Sequence, residues 1–469
     1  MATQQTSSEP GSGAISHTVQ PSDHQAASVL IRDAPRGFLP KLGYLGPGFI
    51  LSAAIVGSGE LIATTALGAK AGFVTFWVIL VSCFMKVALQ LEFGKNAIHT
   101  GLPTMQSMNR LPGLRLGRAH WTLWFWLALQ GLKILQVGGI VGGVAIVLNM
   151  AFPAVSVALW AILSALVSAG LVYKGYYRWV EKGSLLMIFL FTGLILCSLL
   201  LQQRTPHAIT LAQLGEGLRF QLPVHTIGIA LGAFGITGVG GDEIMFYNYW
   251  CLEKGYAAYT GPNDQSPEWA ARARGWIRVM YLDAFCSMAI YTLVTAAFYL
   301  LGASLLHGQG QVPEGYAMVE TLSRLFTVTL GPGAKTIFLV GAFFALYSTL
   351  FSATASWSRI YADAFAQFGW LPPAHPLMQK RAIAVLSWVF PGLWCATFLL
   401  LQIPVRMVLL GGAATSLLLL IVMGAAYQFR YRQLPVSLKP SLLYDIWLWI
   451  SIVSIAGFGV YGLWQVVRP

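Results

Sequence analysis

Two stretches of this 469-residue chain place glutamate inside runs that are otherwise apolar: VGSGELI (56–62) and VGGDEIM (239–245). Both read Val-Gly-x-x-Glu followed by two apolar residues. Glycine leaves a helix at low steric cost, so Gly57, Ser58 and Gly59 in the first stretch, and Gly240 and Gly241 in the second, mark helix breaks. A break in a dry medium frees carbonyls that need a partner, and a bound cation supplies one. Glu60 and Glu243 then open the second half of each broken helix, where the dipole favours a carboxylate. A charge at bilayer depth costs at least about 2.5–3.5 kcal/mol, which makes such a residue functional by default. The structural alternative is that the glycines serve close packing and that the glutamates cap half-helices or pair with Lys86 or Lys133. Two matching breaks at equivalent places favour a binding site.

The elements that position these residues are membrane helices. Hydrophobic residues make up 56% of the chain and charged residues 10%, against about 25% charged in a typical soluble domain. About 20 apolar residues span a bilayer core, and eleven such runs lie near 43–69, 73–94, 120–149, 155–173, 181–201, 224–250, 276–306, 335–365, 382–401, 407–429 and 443–466. Residues 1–38, rich in Ser, Gln, Thr, Pro and Gly, are expected to form a disordered tail, with 39–469 as the transmembrane domain. Most of the 29 lysines and arginines fall in that tail and in the even-to-odd connections, Arg110, Arg115, Arg118, Arg272, Arg274, Arg430 and Arg432 among them. The positive-inside rule then puts the N-terminus in the cytoplasm and makes the net charge of +12 a topology signal rather than a nucleic-acid footprint.

The two breaks lie in the first and sixth runs, five helices apart. Five-helix halves insert in opposite orientations, as first and second repeats of about 43–201 and 224–429 with an extra helix at 443–466. Transporters built this way bind substrate where the first helix of each half is unwound. Five cysteines without paired spacing (Cys83, Cys197, Cys251, Cys286 and Cys395) oppose a disulfide framework and a Cys-based metal site. No phosphate-binding Gly-Lys-Ser/Thr loop and no nucleophile constellation is present, so neither an ATP-driven pump nor an enzyme is expected, and no cofactor.

Residues 46–73, GPGFILSAAIVGSGELIATTALGAKAGF, resemble the first helix of the NRAMP family of divalent metal transporters. The stretches LQLEFGKNAIHTG (89–101) and LGAFGITGVGGDEIMFYNYW (231–250) are similar to the end of its second helix and to its sixth. The resemblance covers about 40–466 and implies an all-α membrane protein, a LeuT-like inverted-repeat (5+5) bundle plus an eleventh transmembrane helix. It also implies a divalent cation as partner, carried across the cell (inner) membrane.

Against that family's pattern this chain departs at the ion site. The family's Asp-Pro-Gly-Asn falls on Gly57, Ser58, Gly59 and Glu60, and its Met-Pro-His-Asn on Gly240, Gly241, Asp242 and Glu243. A register shifted by two, onto Asp242 to Met245, is the alternative. In the first register the thioether is absent, and an all-oxygen site suits Mg²⁺, Ca²⁺ or Mn²⁺. The candidate ligands are Glu60, Glu243 and Asp242, with the carbonyls of Gly57 and Gly240 and water. In helix three, two acidic positions that the family ties to proton transfer become Lys133 and Gln136. A buried Lys133 needs an anion partner, Glu60 or Asp242. Tyr347, Ser348, Thr415 and Ser416 are expected either to line the pocket or to make ordinary helix–helix hydrogen bonds, and Asp283 is expected at the cytoplasmic start of helix seven. The reading that follows is a secondary transporter of Mg²⁺ or Mn²⁺ working by alternating access, without proton coupling. The alternative is a transporter of a small organic or zwitterionic solute recognised by Lys133 and the helix-break carboxylates.

Overall fold

The structure, a computed structural model, describes residues 31–57, 59–307, 317, 319–323, 332–372 and 376–467. Helix α1 (Pro47–Ile55) starts on a proline, which has no N–H to leave unpaired at a helix start. The chain turns extended at Val56, re-enters as a π-helical turn over Gly59–Thr64, and continues as α2 (Thr65–Ala71). The two halves meet at 47°. Next come α3 (Phe76–Thr100), α4 (Trp121–Ala151), α5 (Val157–Val172) and α6 (Tyr177–Gln202). A short antiparallel hairpin, β1 (Arg115–Leu116) with β2 (Ala119–His120), lies between α3 and α4.

The sixth expected span is broken as well, into α7 (Ile227–Ile236) and α8 (Gly241–Lys254). The helices α9 (Pro267–Leu305), α10 (Pro332–Phe368), α11 (Pro376–Leu401), α12 (Pro404–Gln428) and α13 (Leu442–Val467) complete the order. Among the described residues seven helices are long and apolar enough to cross a membrane, and α1 with its continuation makes an eighth. The other three expected spans correspond to the shorter α5, the pair α7–α8, and α13. Helix α9 begins earlier than the expected start near 276, because Ser266 caps it by accepting the Trp269 N–H at 3.0 Å.

Close backbone approach holds the bundle. A Cβ on Gly68 of α2 would lie 2.8 Å from the Ala303 nitrogen, and one on Gly302 of α9 would lie 2.9 Å from the Thr65 Cα. Gly138 and Gly139 do the same for α4 where α11 and α12 cross it: their Cβ atoms would meet Met407 at 2.9 Å and Val408 at 2.8 Å. Small residues at such crossings bring helices near enough for dispersion contacts to hold them where apolar burial gives no drive. Arg32, inside the stretch expected as tail, packs over the Tyr259 ring at 3.6 Å, and its carbonyl accepts the Trp276 indole N–H at 2.9 Å.

Candidate functional site

The two breaks face each other, and one side chain joins them. Glu60, buried in the π-turn, accepts the Gly57 N–H on Oε2 at 3.3 Å and the Gly238 N–H on Oε1 at 3.2 Å. Its own carbonyl accepts the Thr64 hydroxyl. Gly238 stands at φ +70°, in the left-handed region that favours glycine. The break of the second span therefore runs from Thr237 to Gly240, and Gly241 is already the first residue of α8. That corrects the expectation that Gly240 and Gly241 leave the helix together. Gly238, two residues before Gly240 in the same glycine-rich run, carries the backbone reversal.

The carbonyls of Gly57 and Gly240 are also engaged: Leu61 N–H donates to the first and Ile244 N–H to the second, both at 3.0 Å. They are helix acceptors rather than freed groups, because each half-helix resumes directly at its glycine. Among the carbonyls past the last helical bond of α1 is that of Val56, and Thr349 of α10 lies within donating distance of it at 3.1 Å. Thr349 sits so close that a Cβ on Gly57 would overlap its hydroxyl.

Between the breaks lies a cavity of about 60 Å³, lined by Gly57, Glu60, Lys133, Gln136, Asp242 and Glu243 and walled by Thr349, Trp357, Phe246 and Thr415. About 10–15 Å³ holds one water, so this space takes a small hydrated ion. The six expected residues converge, as does Gly240, but their charges are not equivalent. Lys133 pairs with Asp242 at 3.1 Å, both buried, and donates to the Thr415 hydroxyl at 2.6 Å. Gln130 also donates to Asp242, at 3.4 Å. Of the two partners open to Lys133 in the sequence, the fold selects Asp242. No three His, Cys, Asp or Glu side chains converge as a ligand set among the described residues, so Glu60, Glu243 and Asp242 do not form the expected closed trio. Glu243 has no ion-pair partner among the described residues, and its carboxylate folds back over Gly240. The Gln136 Oε1 is buried without a hydrogen-bond partner among the described residues.

Tyr347 is not part of this cavity. It stacks on Phe343 with ring centroids 5.3 Å apart, while Ser348 and Ser416 bond back to Ala345 and Gly412 of their own helices. Thr349, two positions on from Tyr347, faces the break instead. Trp357 and Phe246 were not anticipated either, since nothing in their local spacing separates a pocket wall from ordinary core. Ser58 lies outside the described residues.

Asp283 corrects a further expectation. It is fully buried, about four turns into α9, and accepts the N–H groups of Gly46 at 2.7 Å and Gly48 at 2.6 Å. The Tyr247 hydroxyl donates to it at 3.0 Å. A carboxylate there satisfies orphan donors at the start of α1 and complements its dipole.

The natural resistance-associated macrophage protein-like (Nramp) family model matches residues 48–465. A divalent metal cation transporter, MntH, of Xanthomonas campestris is 25% identical over 461 residues, spanning 94% of either chain. MntH of Mycobacterium leprae is 27% identical over 354 residues, covering 73% of this chain and 74% of its own. A manganese transporter of Eremococcus coleocola superposes with a TM-score of 0.68 at 15% identity, over 92% of this chain and 88% of that one. MHP1, a nucleobase-cation-symport-1 family transporter, superposes at 0.59 with 14% identity, over 90% and 89%. The fold is accordingly the LeuT-like bundle of inverted five-helix repeats, followed here by α13.

Replacing Asp283 with Asn removes the charge at the start of α1 and turns an amide NH₂ towards a backbone N–H. A buried donor left unpaired costs about 1–3 kcal/mol. The purified Asp283→Asn protein should melt a few degrees below wild type in detergent; equal melting would mean that α1 is not held by this carboxylate.

Proposed function

Because the chain belongs to the Nramp family, we propose that it is a multi-pass secondary transporter carrying a hard divalent cation, Mg²⁺ or Mn²⁺, by alternating access around Glu60 and Glu243. The observation that carries the reading is the small cavity that brings the Glu60 and Glu243 carboxyl groups together, with Lys133 in ion-pair contact with Asp242 rather than with either of them. Lys133 takes up Asp242 and leaves Glu60 and Glu243 to a substrate. Mg²⁺ keeps several waters and binds one or two carboxylates directly, which suits this arrangement. The partnerless Gln136 oxygen adds a neutral ligand, and oxygen ligands favour hard ions. The MntH relatives are named divalent metal cation transporters, which supports the class of cargo. A zwitterionic solute would find an ammonium at Lys133, but organic ligands occupy pockets of roughly 300 Å³ or more, and this one is about 60 Å³.

On this reading residues 1–38 form a cytoplasmic tail ahead of the transporter domain 39–469, and the protein resides in the cell (inner) membrane. A cysteine introduced as Arg115→Cys should escape an impermeant thiol reagent in intact cells and react after permeabilisation. Labelling without permeabilisation would reverse the topology.

The carboxylates are tested one at a time. Glu60→Gln and Glu243→Gln keep the volume and remove a charge from a hard-cation site. Each should weaken Mg²⁺ or Mn²⁺ binding, measured by calorimetry, by tenfold or more, about 1.4 kcal/mol. Glu60→Gln should also lower the melting temperature, since that carboxylate bridges both breaks; Glu243→Gln should not. Wild-type affinity in both variants would move the site elsewhere.

Lys133 and Gln136 stand where the family's resemblance implies titrating carboxylates. Gln136 cannot exchange a proton, and Lys133 is held by Asp242. Metal flux should then run without protons, driven by the membrane potential, at about 4.6 kcal/mol for two charges across 100 mV. Liposomes containing a pH dye should take up metal at negative inside potential with no lumenal acidification. Metal-dependent acidification under clamped potential would show coupling and sink this part of the reading.

A further inference from the structure

Lys86 of α3 is fully buried and does not pair with the cavity's glutamates. Its ammonium donates to three main-chain carbonyls at the end of α7: Phe234 at 2.6 Å, Thr237 at 2.7 Å and Gly235 at 3.2 Å. An ammonium has three donors, and all three are spent on backbone. The Ser82 hydroxyl, one turn away on α3, lies 2.9 and 3.2 Å from the same Phe234 and Thr237 oxygens and shares its single proton between them. The Thr237 hydroxyl closes the ring by donating to Ser82 at 2.9 Å. The result is a cradle of main-chain oxygens at the negative end of a half-helix, with the ammonium at its centre and the Phe234 ring 5.3 Å from it.

The other half-helix makes the contrast. At the end of α1 the side chain that meets the corresponding carbonyls of Ala53 and Val56, among the described residues, is the neutral Thr349 hydroxyl, 3.4 and 3.1 Å away. One broken end is thus satisfied by a hydroxyl and the other by a full positive charge. In transporters with broken helices, freed carbonyls and half-helix C-terminal ends are where a small coupling cation is held. Here that position is filled by a side chain of the protein itself.

We propose that Lys86 is a tethered cation occupying a monovalent-cation site formed by the carbonyls of Phe234, Gly235 and Thr237, so that removing its amine opens the site to a soluble monovalent cation. The covalent tether fastens α7 to α3 and makes the end of α7 independent of any dissolved ion. It also keeps a fixed positive charge near the break without cancelling a carboxylate of the cavity. This inference does not depend on which substrate the cavity carries.

The test is thermal melting of purified protein in choline chloride and in the sodium, potassium and methylammonium salts at equal ionic strength. Lys86→Ala should melt several degrees below wild type in choline and recover at least half of that loss in one of the other three salts. Wild type, whose site is filled, and Lys86→Met, which fills the space without a charge, should show no such recovery. If Lys86→Ala fails to fold in choline, purification in methylammonium should yield monodisperse protein. Equal melting of Lys86→Ala in all four salts, the same recovery in wild type or Lys86→Met, or no folded Lys86→Ala under any salt would overturn the proposal.

Discussion

The carboxylate of Glu60 accepts one N–H from each broken span, Gly57 in the first and Gly238 in the second, and the rest of the centre is arranged around that bridge. In a medium without water every interrupted helix leaves donors and acceptors that must find partners inside the protein. The broken ends described here are met by side chains, most of them from distant segments. Glu60 takes the donors, Thr349 takes the carbonyls at the end of α1, and Lys86 with Ser82 takes those at the end of α7. Asp283 does the same for the start of α1.

Charge in the cavity follows from these assignments. Lys133 neutralises Asp242, and Lys86 is spent on carbonyls. Buried ion pairs are weak evidence for stability; their use here is to decide which carboxylates are left over. Glu60 and Glu243 remain, on opposite breaks, with Gln136 offering an unpaired oxygen beside them. Two carboxyl groups beside a space of a few waters are the basis of the proposed divalent-cation reading.

Close packing makes such precision possible. The backbones of α2 and α9 approach at Gly68 and Gly302, and α4 meets α11 and α12 over Gly138 and Gly139. Those contacts fix the helices that carry Lys133 and the wall of the cavity. The two halves of the sixth span are fastened to different neighbours: α7 to α3 through Lys86, and α8 to α4 through Asp242 and Lys133. The glycine hinge at 238–240 lies between the two fastenings.

What was legible in the sequence is what depends on local pattern. Apolar runs of membrane length, two Val-Gly-x-x-Glu interruptions five helices apart, and glutamates opening the second half-helices are all readable from neighbours along the chain. They point to the inverted-repeat bundle and to Glu60 and Glu243 as candidate site residues. Tertiary structure alone decided which carboxylate Lys133 meets, that Lys86 meets carbonyls, that Thr349 rather than Tyr347 faces the break, and that Gly238 carries the reversal while Asp283 caps α1. Each of those choices turns on the direction of a side chain about its helix axis, or on partners more than 100 residues apart. Hydrophobic periodicity cannot supply that in helices that are apolar on nearly every face. The physical reason is the dry interior: it demands that every polar group be paired, but only the packed helices determine with which partner.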